Sequence, residues 1–250
     1  MKFGIVGFGN LGRSLASGLV CSGCAGPGDI SVCESSPEAR AVAQGEPYLA
    51  YATDDINDVI DRSNVVFLVI KGYVFKELSK AIDTRKFTGK TVVSFMAGET
   101  FEKIYPLIGQ VDLVRAMPSL QISVCDGVIG YTKAPPALVD VFNKLGFAFE
   151  TEPDKIENVM AFSSCGLGFA AYLIDAFAGA GEAMGFPRDV AAHIAGLSFK
   201  HASIRGDFRD TVKAVATPGG ATEQGVLYMD SQNVCDIVTQ AVQKAYERMV

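Results

Sequence analysis

Residues 7–12 read Gly7-Phe8-Gly9-Asn10-Leu11-Gly12, a GxGxxG pattern that directly follows the short apolar run Lys2–Val6. The helical spacing of Leu11–Cys21 begins inside the pattern. Glycines placed between a strand and a helix in this way are typical of dinucleotide-binding domains. The first glycine permits a tight turn, the second lets the backbone approach a pyrophosphate, and the third lets the helix pack closely on the strand. We therefore predict that residues 7–12 bind a dinucleotide, with its phosphates at the helix N-terminus.

Short apolar runs alternate with helical patterns through the first half of the chain. Continuous apolar runs of this length are expected for central parallel strands that are covered on both faces. The further predicted strands are Asp29–Cys33, Val65–Ile70, Thr91–Phe95 and Asp112–Met117. The pattern predicts an α/β fold built on a doubly wound sheet with right-handed crossovers.

The character of the sequence changes near residue 151. From Asp154 onward no strand is predicted, and helical spacing continues through Met160–Met184, Val190–Ile204 and Asp230–Met249. We predict a dinucleotide-binding domain at 1–151 and an all-helical domain at 152–250. The stretch Val159–Ala183 is so apolar that we expect it to be buried within a dimer as well as within one chain.

Composition excludes several classes of function. The 250 residues are 49% apolar and 20% charged, with a formal net charge of −6, so a nucleic-acid partner is not expected. No signal peptide is recognised and no run approaches the roughly 20 apolar residues of a spanning helix. We therefore predict a cytoplasmic protein without a membrane partner.

The cysteines and histidines form no metal-binding pattern. The six cysteines are expected to remain thiols, and the CxxC at Cys21–Cys24 lacks a second pair of ligands. The two histidines, His193 and His201, have no carboxylate ligands nearby in the sequence. No metal site is predicted.

An acidic residue at the end of the second predicted strand bears on the choice of cofactor. Glu34 follows Gly12 by 22 residues, where an acid normally accepts hydrogen bonds from the adenosine ribose and repels a 2′-phosphate. Ser35 and Ser36 could instead receive such a phosphate. The cofactor is NAD(H) or NADP(H), and Glu34 favours NAD(H).

Six motifs in register resemble those of the pyrroline-5-carboxylate reductase family, nearly from end to end of the chain. After the glycine pattern they are Val69-Ile70-Lys71-Gly72 for V-K-P, Ser94-Phe95-Met96-Ala97-Gly98 for S-x-x-A-G, Arg115-Ala116-Met117-Pro118 for R-x-M-P, Ser163-Ser164-Cys165-Gly166 for S-G-S-G, and Ala216-Thr217-Pro218-Gly219-Gly220-Ala221-Thr222 for [ST]-P-G-G-[AT]-T. Any one of these motifs is a weak signal, whereas six in register, including the last, are specific.

The resemblance implies a Rossmann domain followed by a helical dimerisation domain, with dimers that often assemble further. It also implies an enzyme that transfers hydride from NAD(P)H to the C=N carbon of 1-pyrroline-5-carboxylate, a cyclic imine carboxylate, to form L-proline. Thr222 matches the family threonine that hydrogen-bonds the ring nitrogen of the substrate, so we assign it the catalytic role. The other implied contacts are Ile70, Lys71, Ala97 and Gly98 for the cofactor, and Met117, Pro118, Cys165, Gly219, Gly220 and Ala221 for the substrate.

The chemistry of the residues is compatible with these roles. An imine can be protonated before hydride arrives, so the site needs mainly to orient it. The turn at Pro218-Gly219-Gly220 can present backbone N–H groups to a carboxylate. Thr222 could equally be a helix-capping residue after that turn.

Departures from the family motifs leave alternatives open. Gly72 replaces a proline, Ser119 and Leu120 replace an amide and a hydroxyl, and Cys165 replaces a serine. A paralogue that acts on another cyclic imine, or a non-catalytic dinucleotide-binding regulator, is therefore also considered. A β-hydroxyacid dehydrogenase would need a lysine on the long interdomain helix, where only Lys155, at its start, is found.

Overall fold

The computed structural model describes residues 1–249 and contains an eight-stranded sheet in that range, in the order β3-β2-β1-β4-β5-β6-β7-β8. The strands are β1 (Phe3–Val6), β2 (Ile30–Cys33), β3 (Leu49–Thr53), β4 (Val65–Leu68), β5 (Thr91–Ser94), β6 (Asp112–Pro118), β7 (Gly127–Tyr131) and β8 (Gly146–Glu150). Strands β1 to β6 are parallel, whereas β7 runs antiparallel to β6 and β8 runs parallel to β7. The doubly wound α/β arrangement that the sequence predicts is confirmed.

The helices of the first half connect these strands. They are α1 (Asn10–Cys21), α2 (Pro37–Gly45), α3 (Ile56–Asp61), α4 (Gly72–Leu78), α5 (Phe101–Ile108), α6 (Pro136–Leu145) and α7 (Ile156–Val159). Those of the second half are α8 (Cys165–Ala183), α9 (Arg188–Ser203), α10 (Phe208–Val215), α11 (Ala221–Ser231) and α12 (Val234–Glu247). The predicted all-helical character of the second half is confirmed for the described residues.

The sheet is covered on both faces by apolar residues. Every residue of β1, β2 and β4 is buried, as their uninterrupted apolar runs predict. One face packs in a cluster with Leu15 and Phe142, and the other packs in a cluster with Val59 and Ile104. The central strands are therefore fixed between two layers of helix, and their carboxyl ends are held in a defined position.

Three strands were not predicted. The strands β3 and β8 lie at the two edges of the sheet and are mostly half-buried, so their sequences lack a continuous apolar run. The strand β7 contains Gly127 and Gly130, which weaken the strand signal. Each glycine is required by packing: a Cβ at residue 127 would lie 2.4 Å from Ile122 Cγ2, and one at 130 would lie 2.5 Å from Val159 Cγ2.

The chain divides into two compact units, Met1–Ser164 with Arg248 and Met249, and Cys165–Glu247. The first unit extends beyond the domain boundary predicted at residue 151, because residues 153–164 pack on it. Ile156 and Val159 are buried against Met117 at the end of β6. The domain boundary at residue 151 therefore remains a prediction.

The helical unit has a small core of its own. Ala178 of α8 is buried against Ala191 and Ala195 of α9, and the Arg188 guanidinium pairs with Asp175 and Glu182. Many large apolar side chains of this unit are exposed, among them Tyr172, Phe177, Met184, Ile204, Phe208, Leu227, Tyr228 and Ile237. A single chain therefore does not bury the long helix α8, although burial of this stretch was expected.

One stretch is long and apolar enough to cross a membrane by length and composition. It is Pro153–Ala183, and little of its most apolar part is buried. The expectation that no run approaches this length was wrong, because the average hydropathy stays high across the interrupting Ser and Gly residues. A single helix of this kind is weak evidence for a membrane, since the core helix of a water-soluble protein passes the same test.

Candidate active site

The glycine loop between β1 and α1 has the geometry that its pattern predicts. Gly7 adopts a φ of +100°, and a Cβ there would lie 2.5 Å from Val69 O. A Cβ at Gly12 would lie 2.1 Å from Gly7 O, so α1 approaches the loop too closely for any side chain. A Cβ at Gly9 would meet no atom of residues 1–249 within 4 Å. Gly7 and Gly12 are therefore needed for the fold, and Gly9 leaves open space above the helix N-terminus.

A cavity of about 500 Å³ lies at the carboxyl ends of the parallel strands. Nine of its lining residues were predicted from the sequence: Gly9, Asn10, Leu11, Gly12, Ile70, Lys71, Ala97, Met117 and Pro118. They come from the loops after β1, β4 and β5 and from the end of β6. Ligands of open α/β sheets bind at this edge, and the volume is within the range of small-molecule sites.

Six lining residues were missed, namely Val69, Gly72, Phe95, Leu120, Met160 and Ser164. Five of them, all but Met160, lie within or beside the quoted motifs, so the sequence carried a signal for these five. Met160–Ser164 forms one turn of π-helix, and the Ser164 hydroxyl donates to Pro118 O at 3.3 Å. Such turns often mark functional sites, but no sequence pattern predicted this one.

Five predicted cofactor residues do not line the cavity: Gly7, Phe8, Glu34, Ser35 and Gly98. Phe8 is fully buried, and its backbone N–H donates to Glu34 Oε2 at 2.8 Å. The backbone N–H of Ser36 donates to Glu34 Oε1 at 2.9 Å. The Glu34 carboxylate therefore joins the glycine loop to the N-terminus of α2, and it places negative charge beside both.

A buried ion pair supports one wall of the cavity. The Arg115 guanidinium of β6 contacts the Glu157 carboxylate of α7 and also donates to Pro153 O at 3.1 Å. The same Glu157 oxygen accepts from the backbone N–H of Gly98 at 3.1 Å. Arg115 Nε is buried without a hydrogen-bond partner among residues 1–249. Arg115 is therefore more than strand-end packing, because it fixes α7 against the loop after β5.

The glycine that replaces the proline of the family motif is closely covered. A Cβ at Gly72 would lie 1.9 Å from Glu99 Oε1, so the Glu99 carboxylate occupies the space that a side chain would need. The loop that carries Lys71 is thus restrained by a contact from the loop after β5 rather than by a proline ring.

The predicted turn of the helical unit at Pro218-Gly219-Gly220 is formed. Gly219 has a φ of +75°, and Gly220 precedes the first residue of α11. The backbone N–H of Gly219 donates to Glu223 Oε2 at 2.7 Å, and that of Gly220 donates to Thr217 O at 2.8 Å. Thr222 is exposed in the first turn of α11, beside Ala221. The turn therefore binds a carboxylate, but that carboxylate is supplied by its own helix.

Cys165, the remaining predicted substrate residue, begins α8 as a partly buried free thiol. No group of three or more His, Cys, Asp or Glu residues that could hold a metal ion occurs within residues 1–249.

A larger open groove of about 940 Å³ lies elsewhere on the first unit. It is lined by Asp112 at the amino end of β6, by Glu150 at the end of β8 and by Glu152 just after that strand. Because it is remote from the carboxyl ends of the parallel strands, we assign the dinucleotide to the smaller cavity.

Each half of the chain matches a family of known proteins. Residues 2–98 match the family described as NADP oxidoreductase, coenzyme F420-dependent, and residues 153–250 match the family described as pyrroline-5-carboxylate reductase dimerisation. The pyrroline-5-carboxylate reductases of Aquifex aeolicus and Escherichia coli are 27% and 28% identical to the chain, each over 99% of it and 96% of their own length. The NADP-bound pyrroline carboxylate reductase of Plasmodium falciparum superposes with a TM-score of 0.86 at 19% identity, covering 100% of this chain and 97% of its own.

These matches define the class of protein as an NAD(P)-type oxidoreductase, with a Rossmann-type domain followed by a helical dimerisation domain. Within that class the chain is a divergent relative of the pyrroline-5-carboxylate reductases, and the resemblance that its motifs predict is confirmed.

Proposed function

We propose that this protein reduces 1-pyrroline-5-carboxylate to L-proline with hydride from NAD(P)H. The observation that carries the proposal is the cavity at the carboxyl ends of the sheet, where the glycine loop, Lys71 and Met117-Pro118 meet. The chain aligns over nearly its full length with proteins named for this reaction. The dinucleotide, when bound, supplies the hydride, and the chain binds and orients both reactants.

The residues of the cavity fit a dinucleotide. Gly9 leaves room for a pyrophosphate at the N-terminus of α1, where backbone N–H groups and the helix dipole favour negative charge. Lys71 is the one charged side chain in the lining formed by residues 1–249, and its sign suits an anionic ligand. We assign the phosphate end to residues 9–12 and the nicotinamide end to Ile70, Lys71 and Ala97.

We further propose that NAD(H) is preferred over NADP(H). The Glu34 carboxylate lies at the end of β2 and accepts from the loop at Phe8 and from Ser36. Its charge opposes a 2′-phosphate at the adenosine ribose, whereas a ribose hydroxyl can donate to it. Ser35 is exposed beside it and belongs to the same proposed contact.

For the substrate, we propose that Thr222 hydrogen-bonds the ring nitrogen and that the backbone of Gly219, Gly220 and Ala221 receives the carboxylate. The bond from Gly219 N–H to Glu223 supports this, because it shows that the turn accommodates a carboxylate oxygen. A substrate carboxylate would replace Glu223 at that N–H. Met117, Pro118 and Cys165 complete the proposed contacts.

We propose a cytoplasmic homodimer formed through the helical domain, with further assembly of dimers. The match of residues 153–250 to a dimerisation family supports the dimer, and so do the exposed apolar side chains of α8 to α12. Apolar surface of this extent is expected to be covered by a partner.

The test is turnover by the purified full chain. We expect 1-pyrroline-5-carboxylate to be reduced to L-proline, measured by chromatography, with NADH oxidised in equal amount. Thr222→Val should lower kcat, because it removes the hydroxyl that we propose hydrogen-bonds the ring nitrogen in the transition state. Thr222→Ser keeps the hydroxyl and should retain most of the wild-type kcat. Equal rates in both variants would remove Thr222 from its proposed role.

Another cyclic imine is a second candidate substrate. Leu120, 46% exposed, lines the cavity where the family motif has a hydroxyl residue, so the wall is more apolar than the motif implies. A panel of cyclic imines that carry apolar ring substituents tests this candidate. Faster turnover of one of them than of 1-pyrroline-5-carboxylate would favour it. Tight NADH binding without turnover of any imine would favour a non-catalytic regulator instead.

A further inference from the structure

Helix α1 and the 3-10 turn Leu120–Val124 are in direct backbone contact. A Cβ at Gly18 would lie 2.1 Å from Ile122 O, so no side chain fits between them. The Ser17 hydroxyl also donates to Ser123 O at 3.4 Å. The end of α1 is therefore held against the segment that follows β6.

Cys125 follows this turn and points back toward the helix. Its φ of +60° lies in the left-handed region, which is uncommon for a residue with a side chain. The Cys125 thiol lies 3.8 Å from Gly18 O. In an α-helix a carbonyl points toward the following turn, and Cys21 lies three residues beyond Gly18 on the same face. The fold thus places the Cys125 thiol beside the side chain of Cys21, although the two residues are 104 positions apart in the sequence.

The surroundings of the two thiols differ. Cys21 is exposed, whereas Cys24 and Cys125 are half-buried. Burial raises the pKa of Cys125, and the neighbouring side chain of Cys21, followed by Cys24, adds to the effect. Cys21 is therefore the thiol that an external reagent meets first, and Cys125 is a protected neighbour.

We propose that Cys21 and Cys125 are a thiol pair that forms a reversible disulfide by exchange with a low-molecular-weight disulfide, such as oxidised glutathione. The Cys21 thiolate attacks one sulfur of the small disulfide, forms a mixed disulfide and releases one small thiolate. Cys125 then loses its proton and attacks the Cys21 sulfur, which releases the second small thiolate. The two cysteines are oxidised by two electrons, and the small disulfide is reduced to two thiols.

The order of the two steps follows from exposure. An exposed thiol can reach a dissolved disulfide, whereas the second step is intramolecular and does not require Cys125 to be accessible. The site is separate from the proposed imine reduction, so the two proposals fail independently. Cys24, which shares the CxxC with Cys21, is the competing partner.

The experiment uses the full-length reduced protein and oxidised glutathione, followed by alkylation and peptide mapping by mass spectrometry. We expect a linked peptide pair that contains Cys21 and Cys125, the loss of one thiol pair from the six cysteines, and full recovery after dithiothreitol. Cys24→Ser should form the same link. Cys125→Ser should stop at a glutathione adduct on Cys21.

A bond between Cys21 and Cys24 in the wild-type protein would overturn the proposal, and so would a stable adduct on Cys21 with Cys125 still reduced. If Cys125→Ser does not fold, Cys125→Asn serves instead, because asparagine tolerates the left-handed conformation. The wild-type peptide map decides the linkage without either variant.

Discussion

The guanidinium of Arg115 and the carboxylate of Glu157 form a buried ion pair that joins the middle of β6 to helix α7. The same carboxylate accepts from the N–H of Gly98, so three segments around the cavity depend on one side chain. Met117 and Met160, which line the cavity, lie within three residues of the pair along the chain. The pair therefore holds the wall in position while remaining outside the cavity itself.

Removal of the carboxylate should destabilise the first unit strongly. Glu157→Ala leaves the Arg115 charge buried and unpaired, which costs about 3–5 kcal/mol in comparable pairs. Glu157→Gln keeps an acceptor for Gly98 and should cost less. Urea unfolding measures both. The matched control is Glu77→Ala, which removes the carboxylate of the exposed pair with Lys80 and should change stability little. Equal losses at 157 and 77 would contradict the role of the buried pair.

Two glycines of one loop should respond differently to the same substitution. Gly12→Ala places a methyl group 2.1 Å from Gly7 O and should cost about 1–3 kcal/mol or more of folding free energy. Gly9→Ala fits sterically, since its φ is −71°, and should leave urea unfolding nearly unchanged.

The Gly9 methyl group would occupy the space that we assign to the pyrophosphate, so NADH binding should weaken about tenfold or more, which is ~1.4 kcal/mol. Fluorescence titration with NADH measures this loss. Unchanged affinity in Gly9→Ala would place the phosphates elsewhere.

Stability at alkaline pH should depend on Cys33 at the end of β2. Burial, with the nearby carboxylate of Glu34, raises the pKa of the Cys33 thiol from 9.0 to about 12. The folded pKa is higher than the unfolded one, so this contribution to stability is complete below pH 9 and is lost as the pH rises toward 12. Cys33→Ser should flatten the fall of the urea midpoint over that window. The exposed Cys235→Ser is the control and should keep the wild-type slope.

Glu34 should determine the preference between the two dinucleotides. Glu34→Gln removes the charge that opposes a 2′-phosphate while keeping one acceptor for the loop. We expect the ratio of kcat/KM for NADPH to that for NADH to rise about tenfold, which corresponds to ~1.4 kcal/mol. Glu38→Gln changes a nearby exposed carboxylate that is bonded to Ser36 and should leave the ratio unchanged. A ratio that moves equally in both variants would indicate a general charge effect.

The parts of the fold that sequence could predict are those set by local pattern. The strands β1, β2 and β4 are buried on both faces and are therefore apolar at every position, and Gly7 and Gly12 are recognisable because the turn and the helix contact require them. The edge strand β8 is half-exposed and carries no such signal.

The candidate site was only partly predictable, because some of its contacts join residues that are distant in the sequence. The spacing of Glu34 from Gly12 located it at the end of β2, but its bonds to Phe8 and Ser36 depend on how the loop folds back. Ser164 lies in a quoted motif, but no local pattern predicted the π-helical turn that brings it to Pro118.

The most direct test of the proposed chemistry is the fate of the transferred hydride. The wild-type protein is given NADH that carries deuterium on the transferring face of the nicotinamide, together with 1-pyrroline-5-carboxylate, and the product is analysed by mass spectrometry and NMR. Hydride transfer to the imine carbon predicts L-proline with deuterium at ring carbon 5. Proline without deuterium at that carbon, or no consumption of the imine despite measurable NADH binding, would contradict the proposed imine reduction.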